Sequence, residues 1–371
     1  MPDSDSSIPP PSPAGSETNG PTRRQRRPRY SGKNPRKFGE KYKELDPERY
    51  AADVVKVLAS GKTPAGSHRP IMVQEILEAL ALQPGELAVD GTLGFGGHAR
   101  ELLARLAPKS SPVRGRLIGL DVDPIEHPKT TVRLRAAGWT DEVFTPVRSN
   151  FAGLPKVLAQ LGLTGADAIL ADLGISSMQL DDPARGFTFK TDGPLDLRLN
   201  PQRAPSAAEW LGRVSVGDLA TTLRENADEP HAETLAAGLV ERRTRTPFTR
   251  TRQLASAIRD ILRLPKAEPG GLVDDSSIRR VFQALRIAVN DEFGVLDLFL
   301  RHLPGCLNPG GRVAILTFHS GEDRRVKQSF REGQRQGIYA AISENIIRAG
   351  AEELRANPRS SSAKLRWAVR A

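Results

Sequence analysis

Cysteine is nearly missing from this chain of 371 residues. Cys306 stands alone, so no intramolecular disulfide can form and a thiolate-rich metal site is excluded by count. A reducing, cytoplasmic setting is therefore expected. The six histidines are scattered, with neither HExxH spacing nor a cysteine partner, and metal-free chemistry is the expectation. Nowhere does an apolar run approach the roughly 20 residues that a membrane span requires. The chain starts Met-Pro-Asp-Ser-Asp-Ser-Ser, acidic where a signal peptide would be basic and with no apolar stretch behind it, so export is not expected. Internal repeats are absent as well.

What the chain does have is positive charge, a formal net of +10. Residues 1–43 carry ten Lys/Arg against four Asp/Glu, in a setting of Pro, Ser and Gly with almost no aliphatic side chains. Such a composition cannot bury a core, and residues 1–45 read as a disordered basic arm, either an RNA tether or a solubilising tail. A basic balance favours polyanion partners through phosphate neutralisation, and it is silent about catalysis. A short helix is expected at about 47–59.

From His68 onward helices and strands alternate. Ile71, Ile76, Leu77 and Leu80 recur at helical spacing until Pro84-Gly85, and a strand follows at Leu87 to Val89. Then come a glycine loop, a helix at about 97–106, a strand from Arg116 to Asp121 and another ending at Asp172. This rhythm implies a parallel sheet with helices on both faces, an α/β doubly wound, Rossmann-like fold. Between 183 and 285 the periodicity is helical with no convincing strand, which reads as an inserted helical domain. A helix at about 279–303, the strand from Arg312 to Phe318 and a closing strand from Ala363 to Ala368 resume the pattern. The catalytic domain is thus expected over 46–182 and 286–371.

Asp90-Gly91-Thr92-Leu93-Gly94-Phe95-Gly96-Gly97-His98 follows the first strand and opens a helix, which is where an open α/β sheet binds its ligand. The glycines let backbone approach a bulky cofactor without a Cβ clash. Gly94-x-Gly96-x-x-Ala99 also satisfies the dinucleotide fingerprint, so NAD stays open as an alternative. Asp90 argues for another ligand. A carboxylate there would repel a pyrophosphate, whereas S-adenosylmethionine brings an ammonium and a sulfonium and no phosphate. Asp121, 24 residues past Gly97 and at the end of the second strand, suits the adenosine ribose hydroxyls, with a helix N-cap as the competing role; Asp123-Pro124 supplies that cap in any case. Asp172 ends the next strand at the same edge and is expected to face the reactive end of the cofactor. Ser176 and Ser177 would bond either substrate or their own turn.

Several long blocks then resemble one family. They are Asp90 to His98, Asp121 to Pro124, Asp172 to Asp182 (DLGISSMQLDD), Arg185 to Leu199 (RGFTFKTDGPLDLRL), Phe282 to Asn290 (FQALRIAVN), Phe318 to Asp323 (FHSGED) and Asn357 to Arg366 (NPRSSSAKLR). Over about 68–371 the chain resembles the bacterial ribosomal RNA small-subunit methyltransferase H family, also called MraW. The resemblance implies a class I S-adenosylmethionine-dependent methyltransferase domain that methylates N4 of a cytidine in the decoding region of 16S ribosomal RNA. It implies cofactor contacts from Gly96, Gly97, His98, Asp121, Phe151, Asp172 and Gln179, to which the electrostatic argument adds Asp90. Departures are visible: Gly321 stands where the family has leucine, Asn226 to Glu229 replace Tyr-Gly-Glu-Glu, and Ser276-Ser277 replace His-Pro.

Cytosine N4 is a poor nucleophile, because its lone pair is conjugated with the ring. Asp172, helped by Ser176 or Ser177, is the expected acceptor that orients the amine. Arg185, Lys190 and Arg198 lie in a block expected beside the crevice, and Val240 to Arg252 carries five arginines against one glutamate. Arg242, Arg243 and Arg245 are the expected phosphate contacts there, on 16S ribosomal RNA or the small subunit. A binding-only assembly factor has no use for both strand-end carboxylates together with the glycine loop, while DNA or protein substrates are separated from RNA only by the family resemblance.

Overall fold

The computed structural model describes residues 70–264 and 274–371. The expected arm at 1–45 and the helix at about 47–59 lie outside the described residues, as does His68.

A seven-stranded sheet organises the molecule. Its strands are β1 (Leu87–Asp90), β2 (Arg116–Asp121), β3 (Phe144–Arg148), β4 (Ala166–Asp172), β5 (Leu307–Thr317), β6 (Tyr339–Ile342) and β7 (Lys364–Arg370), in the spatial order β3-β2-β1-β4-β5-β7-β6. The first five run parallel, and β7 runs antiparallel between β5 and β6. Central strands read as continuous apolar stretches because both faces are covered. On one face lie α1 (Val73–Leu80) and α2 (Gly97–Leu106), whose Leu80, Leu102 and Leu103 meet Leu117 and Leu170 of the sheet. On the other lie α4 (Leu154–Gln160), α11 (Glu292–Cys306) and α12 (Ser320–Arg335), where Leu158, Phe299 and Phe330 pack on Ile118 and Ile169. This is a Rossmann-like, doubly wound α/β fold, as expected.

Strand order reverses at β1, with β2 on one side and β4 on the other. Pairing aligns Asp90 with Gly119 and Leu170, so the ends of β1, β2 and β4, and with them Asp90, Asp121 and Asp172, arrive at one carboxyl edge. A crevice at a reversal of this kind is the ligand site of open α/β sheets. The third strand, β3, and the helix α3 (Glu126–Ala136) complete that side.

A separate core holds the helices of the insert: α6 (Ala207–Arg213), α7 (Val216–Ala227), α8 (Ala232–Arg245), α9 (Thr251–Ile261) and α10 (Ser276–Asn290). Leu211, Leu223, Leu239, Leu254 and Leu285 bury together there. This core runs on to Val289, so the expected boundary at 285/286 falls inside α10. The single helix expected at 279–303 is instead two, broken where Asp291 turns to φ 50° and ends α10. Strand β6 has no counterpart in the sequence reading: four residues, two of them Ala, give little alternation to detect.

The three departures from the family blocks come together in space. Ser277 Oγ donates to Glu229 at 3.1 Å, and Ser320 Oγ donates to Asp228 at 2.9 Å. A Cβ on the neighbouring Gly321 would lie 2.5 Å from the Phe293 ring, and that ring is covered by Arg325 at 3.7 Å. A leucine at 321 has no room, because Phe293 already fills its place.

Candidate functional site

The carboxyl edge opens into a cavity of about 740 Å³ that reaches from the glycine loop to the inner face of the helical insert. Its sheet-side wall is made by Gly91 to Phe95, Gly97, His98, Asp121, Phe151 and the segment from Asp172 to Ser176. The backbone of the loop is pinned from beneath. Gly91 N donates to Leu170 O at 2.8 Å, Leu93 N to Leu120 O at 2.7 Å and Gly94 N to Asp121 Oδ2 at 2.7 Å. Gly96 sits at φ 76°, a conformation that costs a side-chain-bearing residue about 1–2 kcal/mol. At Gly97 a Cβ would crowd Pro70 at 3.2 Å.

The carboxylates are not equivalent. Asp90 is buried and does not reach the cavity wall; its Oδ1 accepts from Thr92 N at 3.0 Å. Burial pushes its carboxyl up to about 6, against the opposing pull of His98. The expectation that Asp90 touches the cofactor is therefore corrected: it lies beneath the cavity wall, bonded by Thr92 N and within the field of His98. Gly96 likewise stays off the wall, and its part is the left-handed turn that starts α2. Asp121 does line the cavity. Its two oxygens hold Gly94 N and Asp123 N, and burial lifts it to about 6 despite those bonds.

Asp172 carries the sharpest feature. Its backbone N donates to Thr92 Oγ1 at 2.7 Å, and its Oδ2 lies 3.4 Å from His98 Nδ1. Its Oδ1 is buried without a hydrogen-bond partner, which is costly unless a ligand completes it. His98, 9% exposed, places Nε2 2.9 Å from Ile71 O. Burial alone would lower its pKa, but the bond to Asp172 and the charges of Asp172 and Asp90 outweigh burial and hold it at about 9. A cationic imidazole thus sits between the charges of two carboxylates, at a position where the family resemblance implied a cofactor contact.

Ser176 is the N-cap of α5 (Ser177–Asp181): its Oγ accepts from Gln179 N at 3.2 Å, while Gln179 Oε1 accepts from Ser176 N at 2.9 Å. The local-turn role is therefore real, although a hydroxyl that accepts a cap bond keeps its own proton to donate. Ser177 opens the helix. Gln179 Nε2 donates to Asp123 Oδ2 at 2.7 Å, and both Ser176 and Gln179 line the cavity. Phe151 does so too, with its ring edge-to-face on Phe299 at 5.2 Å, so it serves core and wall together.

Of the expected substrate contacts, Lys190 is exposed on the cavity wall. Arg185 is not available: it is buried, pairs with the fully buried Asp123 at 2.8 Å and donates to the carbonyls of Arg198 and Leu199. Arg198 clasps Asp196 at 2.7 and 2.8 Å and lies off the wall. Both expectations are corrected, since each guanidinium is consumed in shaping the loop that carries Lys190. Arg242 pairs with Asp260, Arg243 donates to Leu211 O and Arg245 pairs with Glu241; none lines the cavity. The sequence had singled out no metal ligands, yet Glu292, His319 and Glu322 lie close together. Glu292 is taken up by Arg286 through two bonds of 2.8 Å.

The model of the MraW methylase family matches residues 65–371. The chain belongs to that family. Among curated relatives of this methylase family, ribosomal RNA small subunit methyltransferase H 1 of Lachnoclostridium phytofermentans is 49% identical over 94% of this chain and 93% of its own. Ribosomal RNA small subunit methyltransferase H 2 of Alkaliphilus metalliredigens is 48% identical, over 94% and 98%. The corresponding enzyme of Thioalkalivibrio sulfidiphilus is 42% identical, over 84% and 99%. No helix among the described residues is long and apolar enough to cross a membrane.

Proposed function

We propose that this methyltransferase moves a methyl group from S-adenosylmethionine to the exocyclic N4 of a cytidine in the decoding region of 16S ribosomal RNA, on the small ribosomal subunit in the cytoplasm. One observation carries the reading. The carboxylate of Asp172, at the end of β4, lines the cavity with its side chain 28% exposed and can accept an N–H there. The relatives' names and the family blocks support the substrate.

The donor set fits S-adenosylmethionine. Carboxylates at the ends of β2 and β4 suit a ligand with two positive centres, the backbone of Gly97 lines the cavity at the helix start, and Phe151 offers an aromatic flank. Asp121, Gly97, Phe151 and Gln179 would hold it, and when bound it supplies an electrophilic methyl on sulfur. The chain's own residues do the rest. Thr92 fixes the backbone of Asp172, and His98 lies beside its Oδ2, so that the carboxylate is held at the crevice. Accepting an N–H of the amine turns its lone pair out of conjugation and toward the donor, and positioning of this kind supplies much of the rate. Access to N4 requires an unstacked nucleotide, which the insert over about 183–285 would hold against the crevice. The basic arm at 1–45 would tether RNA.

Transfer of labelled methyl to 30S subunits, followed by nuclease digestion and mass spectrometry, tests this directly. N4-methylcytidine that disappears in Asp172→Ala is the expected result. A protein that binds the donor yet labels no RNA would defeat it.

A further inference from the structure

The far wall of the cavity is built by the helical insert and differs chemically from the sheet edge. Phe189 and Phe282 meet there with ring centroids 5.6 Å apart, and both line the cavity. Lys190 and Arg279, both exposed, line the same wall, and neither side chain makes a hydrogen bond or ion pair among the described residues, although Asp274 feels the charge of Arg279. Gln283 lines the same wall; its Nε2 donates to Asn226 O at 3.2 Å, which leaves its amide oxygen to accept.

This wall is held firmly. The loop bearing Phe189 and Lys190 is tied at one end to the sheet by the buried Arg185–Asp123 pair. At the other it is tied to α9, where Thr251 N donates to Gly193 O at 3.0 Å and Arg250 pairs with Asp192 at 2.6 Å. Arg279, Phe282 and Gln283 sit on successive turns of α10, on one face. Aromatic faces on one wall with two cations that have no partner among the described residues suit a single unstacked nucleotide: π-surface for the base and positive charge for the neighbouring phosphates.

We propose that this wall is the subsite for the substrate nucleotide of a single-stranded RNA segment. The base lies against Phe189 and Phe282, the flanking phosphates rest on Lys190 and Arg279, and the Gln283 amide oxygen accepts from a base N–H. The inference rests on the reading of the site as an RNA methyltransferase and adds the residues that would receive the RNA.

The full chain would be assayed as wild type, Lys190→Glu, Arg279→Glu, the double variant and Phe189→Leu. KM for small-subunit RNA would be measured across a salt series, and affinity for S-adenosylmethionine by calorimetry. Each charge reversal is expected to raise KM about tenfold at low salt and to flatten the logarithmic salt slope by about 0.7. Phe189→Leu should raise KM about fivefold or more and leave the slope alone. Donor affinity should stay at the wild-type value throughout. Variants with wild-type KM and slope would overturn the subsite, as would a parallel loss of donor affinity, which would place these residues in the donor's own pocket. If wild type itself labels no RNA, the functional reading falls, a result distinct from variants that behave like an active wild type.

Discussion

The two walls of the cavity solve opposite electrostatic problems. At the sheet edge, the charges of Asp90 and Asp172 act on one buried imidazole, Asp121 ends the neighbouring strand, and a carboxylate oxygen of Asp90 and one of Asp172 have no partner among the described residues. On the helical side the unmatched groups are cations, Lys190 and Arg279, beside aromatic rings. A cationic donor and an anionic polymer would sort themselves between these walls by charge alone, with the methyl acceptor at the seam. The largest effect should therefore come from the carboxylate at the seam. Asp172→Asn keeps the shape and removes the charge, and methyl transfer measured with labelled donor should fall by about 10²–10⁴-fold while the protein stays folded. Activity within tenfold of wild type would make the sheet wall a scaffold only.

Arg185 separates shaping from contact. It was expected to touch substrate, and it is buried against Asp123. Arg185→Ala strips that buried aspartate of its counter-charge and leaves it only the bonds from Gln179 and backbone N–H groups, which should cost about 3–5 kcal/mol in urea unfolding. If stability were unchanged and only RNA affinity fell, the division between loop-shaping and RNA-facing arginines would collapse.

Residue type and spacing carried most of the sheet wall into view. The strands are apolar runs that end in aspartates, and the loop between them is glycine-rich, so the crevice and Asp121 and Asp172 were legible before any coordinates. Depth was not. Asp90 looks like a ligand residue in sequence because the pattern does not say which of three strand-end carboxylates lies under the others. His98 was named only through the family resemblance, and its partners were not legible: Ile71 and Asp172 are 27 and 74 positions away. On the helical wall, arginines announce positive charge but not whether a nearby aspartate consumes it, and this is where Arg185 and Arg198 misled. Arg279 and Gln283 reach the cavity only through the packing of α10.

A smaller effect is expected at Gly96. Alanine there must accept φ 76° and crowd the Thr130 methyl at 3.0 Å, so Gly96→Ala should cost about 1–3 kcal/mol in urea unfolding and weaken donor binding. An unaltered midpoint would mean that the start of α2 is softer than its bonds suggest. His98 gives the sheet wall a pH signature. Its folded pKa of about 9 exceeds the ordinary 6.5, so its contribution is complete below 6.5 and is lost as pH rises through about 9. Asp90, raised from 3.8 to about 6, acts in the same sense at lower pH. Unfolding midpoints should therefore decline from neutral to alkaline pH by the equivalent of about 1–2 kcal/mol, and His98→Gln should flatten that limb. An equally steep decline in the variant would assign the titration elsewhere.

The smallest effect belongs to Arg245. It is 81% exposed, and its contact with Glu241 is a surface pair of the kind that adds little to stability. Arg245→Ala should leave the unfolding midpoint where it was. Its consequence is expected only in RNA binding, as a salt slope shallower by about 0.7 if α8 meets the phosphate backbone beyond the cavity. The contrast with Arg279→Glu is the informative part. A residue that lines the cavity should change KM in low salt for short and long RNA alike, whereas one on the outer surface of α8 should matter only for substrates long enough to reach it. If Arg245→Ala weakened a short oligonucleotide as much as a whole subunit, the cationic wall would extend well past the cavity, and the sorting of charge between two facing walls would have to give way to a continuous basic surface.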